Sequence, residues 1–247
     1  MAPVEEKLLL ARFADLEKQA ERGHKPCFSR FLDPGELRLF SAQMRPRLPF
    51  LLWGGYPDAE RKMLGFFPDY MDPEPAAFPL QSLRLRCGEE LGHRTILGSL
   101  MGLGIERNLL GDIAMEPEGP VLFCAGSIAD FITMELTRCG RAHVKVSAAP
   151  LDELSILPRA WVPVSGTVAS LRIDCVLGLL TGASRSDTDN LIRRDAVSLN
   201  HQVVNKPSTL VAEGDVLSVR GFGRAELLEI GGETKKGRMR IVLKKYI

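Results

Sequence analysis

The sequence predicts an α+β protein, and three observations carry that prediction. Between Phe78 and about Leu154, strand-like and helix-like hydrophobic periods follow one another in the order βαββαβ. A helical and hairpin-forming segment precedes this block. After it, two short helical patterns feed a series of short strands separated by turn residues. The βαββαβ order is that of the ferredoxin-like, split-βαβ plait, a four-stranded antiparallel sheet with two helices on one face. RRM-like RNA-binding modules share the plait with many enzymes and regulatory domains, so fold class alone assigns no function. The expected domains are residues 1–74, an N-terminal helical and hairpin segment; 75–157, the ferredoxin-like domain; and 158–247, a smaller domain ending in a basic hairpin.

The opening residues form an amphipathic helical pattern that Gly23 can close. In "LDPGELRLF", Asp33 suits an N-cap, Pro34 the first helical position and Glu36 the return partner of a capping box. "LPFLLW" and "KMLGFF" flank the turn-rich "GGYPDAE" as a hairpin, and the Pro-rich "FPDYMDPEPAAFP" reads as a linker. "PLQSLRLRC" alternates as a strand, "HRTILGSLMGL" is helical and ends at Gly102 and Gly104, and "LLGDIAM" and "PVLFCA" are strands. "SIADFITMEL" is a helix with Ser127 as its cap, and "AHVKVSA" is the last strand of the block. From "WVPVSGTVASLRIDCVLGLL" a new unit begins, in which Ile173, Val176, Leu177 and Leu180 share one buried helical face.

With 45% hydrophobic and 26% charged residues, the chain has the composition of a folded globular protein, which excludes disorder and rod-like assemblies. Its longest apolar runs, such as "LPFLLW" and "CVLGLL", fall far short of the roughly 20 residues a transmembrane helix needs. The N-terminus starts with acids instead of a basic-then-apolar signal, so a cytoplasmic location without a membrane partner is expected. Cys27, Cys87, Cys124, Cys139 and Cys175 are widely spaced and contain no Cys-x-x-Cys, and the histidines show no ligand spacing. No metal and no cofactor are expected. Gly-x-Gly in "GLGIER" follows a helix, so it reads as a helix stop and not as a nucleotide loop.

A net charge of +1 conceals an asymmetry. From Leu171 to the end, 13 Lys and Arg face 9 Asp and Glu, whereas the first 170 residues hold 19 against 22. "TKKGRMRIVLKKYI" carries Lys235, Lys236, Arg238, Arg240, Lys244 and Lys245 without an acid. Such a local excess is either a solvated face or the footprint of a polyanion. In "ASRSDTDNLIRRDAVSLN", Ser184 and Asp187 make a Ser-x-x-Asp capping box, and only Leu191 and Ile192 are large and apolar, so the helix lies on a surface. A capped helix start offers backbone amides and a positive dipole end to a phosphate. Arg185 adds charge there, and Arg193 and Arg194 add it beyond the apolar anchor. His93, Arg94 and Arg107, with Glu106, bracket an earlier helix and form either solvated charge or a secondary RNA-facing edge.

"LRID" followed by "ASRSDTDNLIRRDAVSLNHQVVNKPSTLVAEGDVLSV" resembles the S4-type RNA-binding domain. That domain's pattern runs Arg-Leu-Asp, Ser-Arg-Ser, a helix, Gly-x-Val-x-Val-Asn-Gly, and Gly-Asp. Arg172 and Asp174 match the first element, Ser184, Arg185 and Ser186 the second, Val197 and Asn200 the strand and turn, Pro207 the linker, and Gly214 and Asp215 the last turn. Asp195 and His201 stand where the pattern has glycine. "LGFFPD" (Leu64 to Asp69), "HRTILGSLMGLGIERNLLGDI" (His93 to Ile113) and "GDVLSVRGFGR" (Gly214 to Arg224) extend the likeness: over nearly its whole length the chain resembles the YlmH family of bacterial S4-domain proteins.

The resemblance implies a non-catalytic factor of bacterial ribosome-associated quality control. It would bind rRNA of the 50S subunit and tRNA or peptidyl-tRNA, and support C-terminal tailing of the stalled chain, with a tailing factor as a further partner. Family links to cell division and photosystem II leave the cellular role open, and a monomer is expected. The implied RNA contacts are Arg172, Ser184, Arg185, Ser186, Arg193, Arg194, Asn200, Arg220, Arg224, Lys235, Lys236 and Arg238, directed mainly at phosphate because structured RNA is read by shape. Two other classes stay open. One is an RNA-modifying enzyme of the pseudouridine synthase or rRNA methyltransferase type that uses the S4-type domain for docking, although the first 170 residues show no nucleotide loop and no Ser-His-Asp or Cys-His arrangement. The other is an interaction module whose basic tail meets acidic surfaces.

Overall fold

Residues 3–156 and 160–247 are described by the computed structural model, in which helices and sheets divide between two units, Met1–Leu157 and Pro158–Ile247. The expected boundary between residues 157 and 158 lies outside the described residues.

In the first unit, α1 (Pro3–Gly23) is followed by β1 (Cys27–Phe28) and α2 (Pro34–Gln43), and Leu9, Phe13 and Ala20 share a core with Leu39 and Phe40. α2 starts as its residues dictate: Asp33 accepts from the Glu36 amide at 2.9 Å, and Glu36 accepts from the Asp33 amide at 2.7 Å. β2 (Phe50–Trp53) and β3 (Met63–Phe66) form the expected antiparallel hairpin, and β1 adds to the other edge of β3. Then come β4 (Leu80–Arg86), α3 (His93–Gly102), β5 (Leu110–Ala114), β6 (Val121–Ala125) and α4 (Ala129–Glu135). A small hairpin, β7 (Arg138–Cys139) and β8 (Ala142–His143), leads to β9 (Lys145–Ala148). The four-stranded sheet has the order β5-β6-β4-β9 with every neighbouring pair antiparallel.

Two features differ from the sequence expectation. Gly126–Ile128 forms a 3₁₀ turn, so Ile128 and not Ser127 occupies the cap of α4, without a side-chain hydrogen bond. The Pro-rich stretch is no spacer: Phe67 and Phe78 on either side of it are buried with Phe31, Met63, Val121 and Phe123. Leaving two such rings in water would forgo about 1.5–3 kcal/mol each. All five residues of β6 are buried because its two faces enter two cores. Leu122 and Cys124 pack with α3 and α4 residues, whereas Val121, Phe123 and Ala125 pack under the N-terminal segment.

The second unit consists of β10 (Trp161–Val168), α5 (Ile173–Thr181), α6 (Arg185–Arg193), β11 (Val197–Leu199), β12 (Gln202–Val203), β13 (Val216–Val219), β14 (Gly223–Glu233) and β15 (Met239–Tyr246). Its strands form one sheet in the order β10-β15-β14-β13-β11-β12. α5 buries Ile173, Val176, Leu177 and Leu180, as its spacing predicts, against Leu217, Leu227, Ile241 and Leu243. α6 contributes only Thr188 and Ile192 to the buried set.

Asp195 and His201, which stand where the resembled S4-type pattern has glycine, both adopt left-handed backbone conformations, with φ of 50° and 68°. Asp195 ends α6 in a Schellman motif: its amide donates to the Ile192 carbonyl at 3.1 Å and the Ala196 amide donates to the Leu191 carbonyl at 3.0 Å. Asn200, with φ of 53°, and His201 form a two-residue turn between Leu199 and Gln202, where both positions need positive φ. A glycine would enter the Asp195 conformation without the Cβ penalty. Asp195→Gly is therefore expected to stabilise the second unit by about 0.5–1 kcal/mol, read as a raised urea midpoint. A lowered midpoint would contradict this account of the helix end.

Candidate nucleic-acid interface

The helix pair α5–α6 is set in place by polar residues that the sequence pattern singles out. Arg172 grips Asp174 with two hydrogen bonds, Nη2 to Oδ2 at 2.8 Å and Nε to Oδ1 at 3.1 Å. Asp174 is buried and also accepts from the Cys175 amide at 3.0 Å. Burial opposes its charge, but Arg172 and the Cys175 amide outweigh that cost and hold the carboxyl below the ordinary aspartate range. The start of α5 is tied further by the Ile173 amide donating to Thr209 O at 2.8 Å and the Val211 amide donating to Leu171 O at 2.9 Å.

Gly182, with φ of 70°, ends α5 and lets the chain turn directly into α6. Ser184 Oγ accepts from the Asp187 amide at 3.3 Å and donates to the Asp187 carboxylate at 2.7 Å, with Ser186 Oγ at 2.9 Å. The expected capping box is thus half present, because the acid bonds the serine hydroxyl and not its backbone. Asp187 already places a negative charge at the positive end of the helix dipole and would repel a phosphate there. Beyond its first turn, α6 offers an anion its guanidinium groups.

Thr188 and Ile192 face the core, so the 3.6-residue period puts Arg185 and Arg193 along one flank of α6 and Arg194 on the other. A groove lies on each flank. Arg172, Asp174, Cys175, Gly178, Arg185 and Thr188 line the first with Ala169 and Ser170. Ala183, Asp187, Asn190, Leu191, Arg194 and Phe222 line the second. The Arg220 amide donates to Ala196 O at 2.8 Å, which pins the β13–β14 turn beside the end of α6. Arg185, Arg193, Arg194 and Arg220 are all exposed, and among the described residues their side chains have no ion-pair or hydrogen-bond partner. They span about 13 Å of helix plus the adjoining turn.

The other expected contact residues are arranged differently. Asn200 uses its side chain within the fold: Nδ2 donates to Asp215, and Oδ1 accepts from the Val216 amide at 2.9 Å. Asp215 in turn accepts from the Ala212 amide at 2.8 Å, so the Asn200 turn and the Gly214–Asp215 turn are locked together. Arg224 is half-buried in β14, opposite Ser218. Lys235 and Lys236 are exposed at the β14–β15 turn, where Arg238 donates to Thr167 O at 2.6 Å and to Thr167 Oγ1 at 3.1 Å. The length of β14 puts that turn roughly 30 Å from Arg220. The sequence-derived set therefore falls into two groups at opposite ends of one strand.

In the first unit, His93 and Arg94 are exposed in the first turn of α3. Arg107 does not join them on an outward edge. Its half-buried guanidinium donates to Leu110 O at 2.8 Å and Gly111 O at 3.2 Å, and burial, reinforced by nearby Arg61, pushes its pKa down to about 10. Arg107 fastens the entry to β5. Phe222, absent from the sequence-derived set, joins the α6 groove; its signal was an aromatic ring between two glycines and two arginines in "RGFGR".

Among the described residues, no group of three or more His, Cys, Asp or Glu is placed to hold a metal ion, and no helix is long and apolar enough to cross a membrane. Residues 75–153 match the family model described as "Putative RNA-binding domain in YlmH". The chain is 36% identical over 248 aligned residues to the ribosome-associated protein quality control protein P2 of Bacillus subtilis (strain 168), covering 98% of this chain and 95% of that protein. The cell division protein ylmH from Streptococcus pneumoniae has a similar fold, with a TM-score of 0.53 at 22% identity over 62% of this chain and 96% of the other. Since the sequence identity extends over nearly the full length of both proteins, the chain belongs to the YlmH family.

Proposed function

We propose that this protein is a non-catalytic, cytoplasmic RNA-binding factor that docks as a monomer on the large (50S) ribosomal subunit, contacting rRNA and tRNA or peptidyl-tRNA, in the quality control of stalled chains. One observation carries the reading: Arg185, Arg193, Arg194 and Arg220 lie along a single helix and the adjoining turn with their guanidinium groups unpaired among the described residues. Unpaired arginines in a row suit a sugar-phosphate backbone, whereas arginines that hold the fold together would be engaged. The name of the Bacillus subtilis relative supports a ribosomal setting, and the family resemblance adds a tailing factor as a further protein partner.

The finer domain readings belong to the same proposal. Residues 75–157 are read as a ferredoxin-like plait, supported by the β5-β6-β4-β9 order of an antiparallel sheet fed by two helices. Residues 158–247 are read as an S4-type domain. The Arg172–Asp174 grip, the Ser184 cap and the Asn200–Asp215 tie support this, because the matched residues fix the backbone that displays the arginines. His93 and Arg94 are the candidates for a second RNA contact, supported by the family model over residues 75–153.

The test is sedimentation of the tagged protein from lysate at low and moderate salt, with rRNA and tRNA probed in each fraction. Wild type is expected to travel with 50S particles that carry tRNA, and Arg185→Ala/Arg194→Ala to shift to the top of the gradient. Wild type remaining at the top in both salts would overturn the ribosomal reading.

A further inference from the structure

The turn between β13 and β14 presents an aromatic ring that the core does not need. In Arg220-Gly221-Phe222-Gly223-Arg224, the Phe222 amide donates to Val219 O at 3.0 Å and closes a four-residue turn. The third position of that turn, Gly221, has φ of 88°, and Gly223 follows with φ of 95°. Side-chain-bearing residues rarely adopt such conformations, so the two glycines fix where the intervening ring stands. Phe222 keeps 40% of its surface exposed and forms one wall of the hollow on the flank of α6. Ala183 and Leu191 give that hollow an apolar floor, Asn190 and Asp187 give it an amide and a carboxylate, and Arg194 gives it a cation.

Phosphate alone would not call for this combination. An anion is read by charge, gains nothing from an aromatic wall and is repelled by Asp187. An acidic peptide meets the same repulsion. A nucleobase has a flat π face for the ring, an edge of donors and acceptors for the amide and carboxylate, and a phosphate on either side for the arginines. We propose that this hollow receives an unpaired nucleobase of RNA, stacked on Phe222 beside Arg194, with Asn190 and Asp187 facing its edge. The inference rests on the RNA-binding reading above and adds a preference for RNA with unpaired bases, since the base faces of a continuous duplex are already stacked.

The experiment measures binding of the full chain to two RNA probes of equal length, a hairpin with an unpaired loop and a blunt duplex, over a series of salt concentrations. Wild type is expected to prefer the hairpin. Phe222→Ala and Phe222→Leu are each expected to lower hairpin affinity by roughly 10- to 100-fold while leaving duplex affinity and the salt slope unchanged. Phe222→Trp restores hairpin binding. Arg194→Ala weakens both probes and reduces the salt slope by about one. Wild-type affinity in Phe222→Leu would overturn the stacking role, because leucine keeps an apolar side chain on that wall of the hollow without a π face. Equal losses on both probes in Phe222→Ala would also overturn it, by pointing to a disturbed turn. In either case RNA binding itself would stand. Failure of wild type to bind either probe would remove the RNA reading and this inference with it.

Discussion

Replacing Arg185, Arg193, Arg194 and Arg220 together by glutamine is expected to lower affinity for structured RNA by at least about 100-fold near 0.1 M salt. The slope of log affinity against log salt should fall by about three to four. Each of these side chains is exposed and unpaired among the described residues, so each can displace one counterion from a phosphate without first breaking a bond inside the protein. Glutamine keeps polarity and a comparable helix propensity, and the cap at Ser184 and the anchors at Thr188 and Ile192 are untouched, so α6 should persist. Arg107→Gln is the informative control: its guanidinium is committed to the Leu110 and Gly111 carbonyls, so its loss should move the urea midpoint and leave the salt slope alone. An unchanged slope in the fourfold variant, measured by fluorescence anisotropy across salt concentrations, would mean that RNA is bound elsewhere. Net charge would not have pointed to this surface, since Asp187, Asp189 and Asp195 accompany the arginines of α6. Position decides: Asp187 is held by Ser184, whereas the guanidinium groups are unpaired.

What could be read from the sequence follows from how local each determinant is. The Asp33–Glu36 box and the buried face of α5 depend on residues within one or two turns, and both stand where the pattern placed them. Glycine's absence at Asp195 and His201 was visible as a departure, and their positive φ values show that the backbone kept the shape glycine normally supplies. The linker reading failed because the fate of Phe67 and Phe78 is decided by Phe31 and Phe123, which are remote in the chain. Similarly, the apolar run "PVLFCA" announced a strand, but nothing local says that the N-terminal segment covers its second face. For the candidate site, residue type was legible and availability was not. Arg172 and Asp174 are two positions apart, so their pairing lies within reach of sequence reasoning, whereas Arg238 finds Thr167 through strand pairing between β10 and β15. Phe222 escaped notice because a lone phenylalanine near a strand end reads as core until the turn geometry shows it facing solvent.

Arg84→Met is expected to destabilise the first unit by about 3–5 kcal/mol, because it strands a buried carboxylate. Arg84 sits on β4, between β6 and β9, and donates to Glu116 through both Nε, at 3.1 Å, and Nη2. The Arg84 side chain is 13% exposed and that of Glu116 only 2%. Glu116 also accepts from the Ser155 amide at 2.6 Å, so one carboxylate ties the sheet to the segment leaving it. Glu118, at 3.3 Å from Arg84, is 60% exposed and screened by water, so it cannot take over the role of Glu116. The double variant Arg84→Met/Glu116→Met should regain more than half of the loss, because an apolar pair replaces a buried ion pair at little cost. What it does not regain is the Glu116 hydrogen bond to the Ser155 amide, a small loss because Ser155 is exposed and its amide can turn to water. The read-out can also ask whether residues 3–156 unfold together. The chain has two tryptophans, Trp53 in the N-terminal hairpin and Trp161 in the second unit, so a Trp161→Phe background makes fluorescence report on Trp53 alone. If Phe123 and its neighbours join the hairpin to the four-stranded sheet in one cooperative core, the Trp53 transition must shift in urea by the full amount although Arg84 belongs to a different strand system. A Trp53 transition that stays in place while the sheet melts early would show that the shared core does not couple them, and the first 74 residues would then be a separate folding unit.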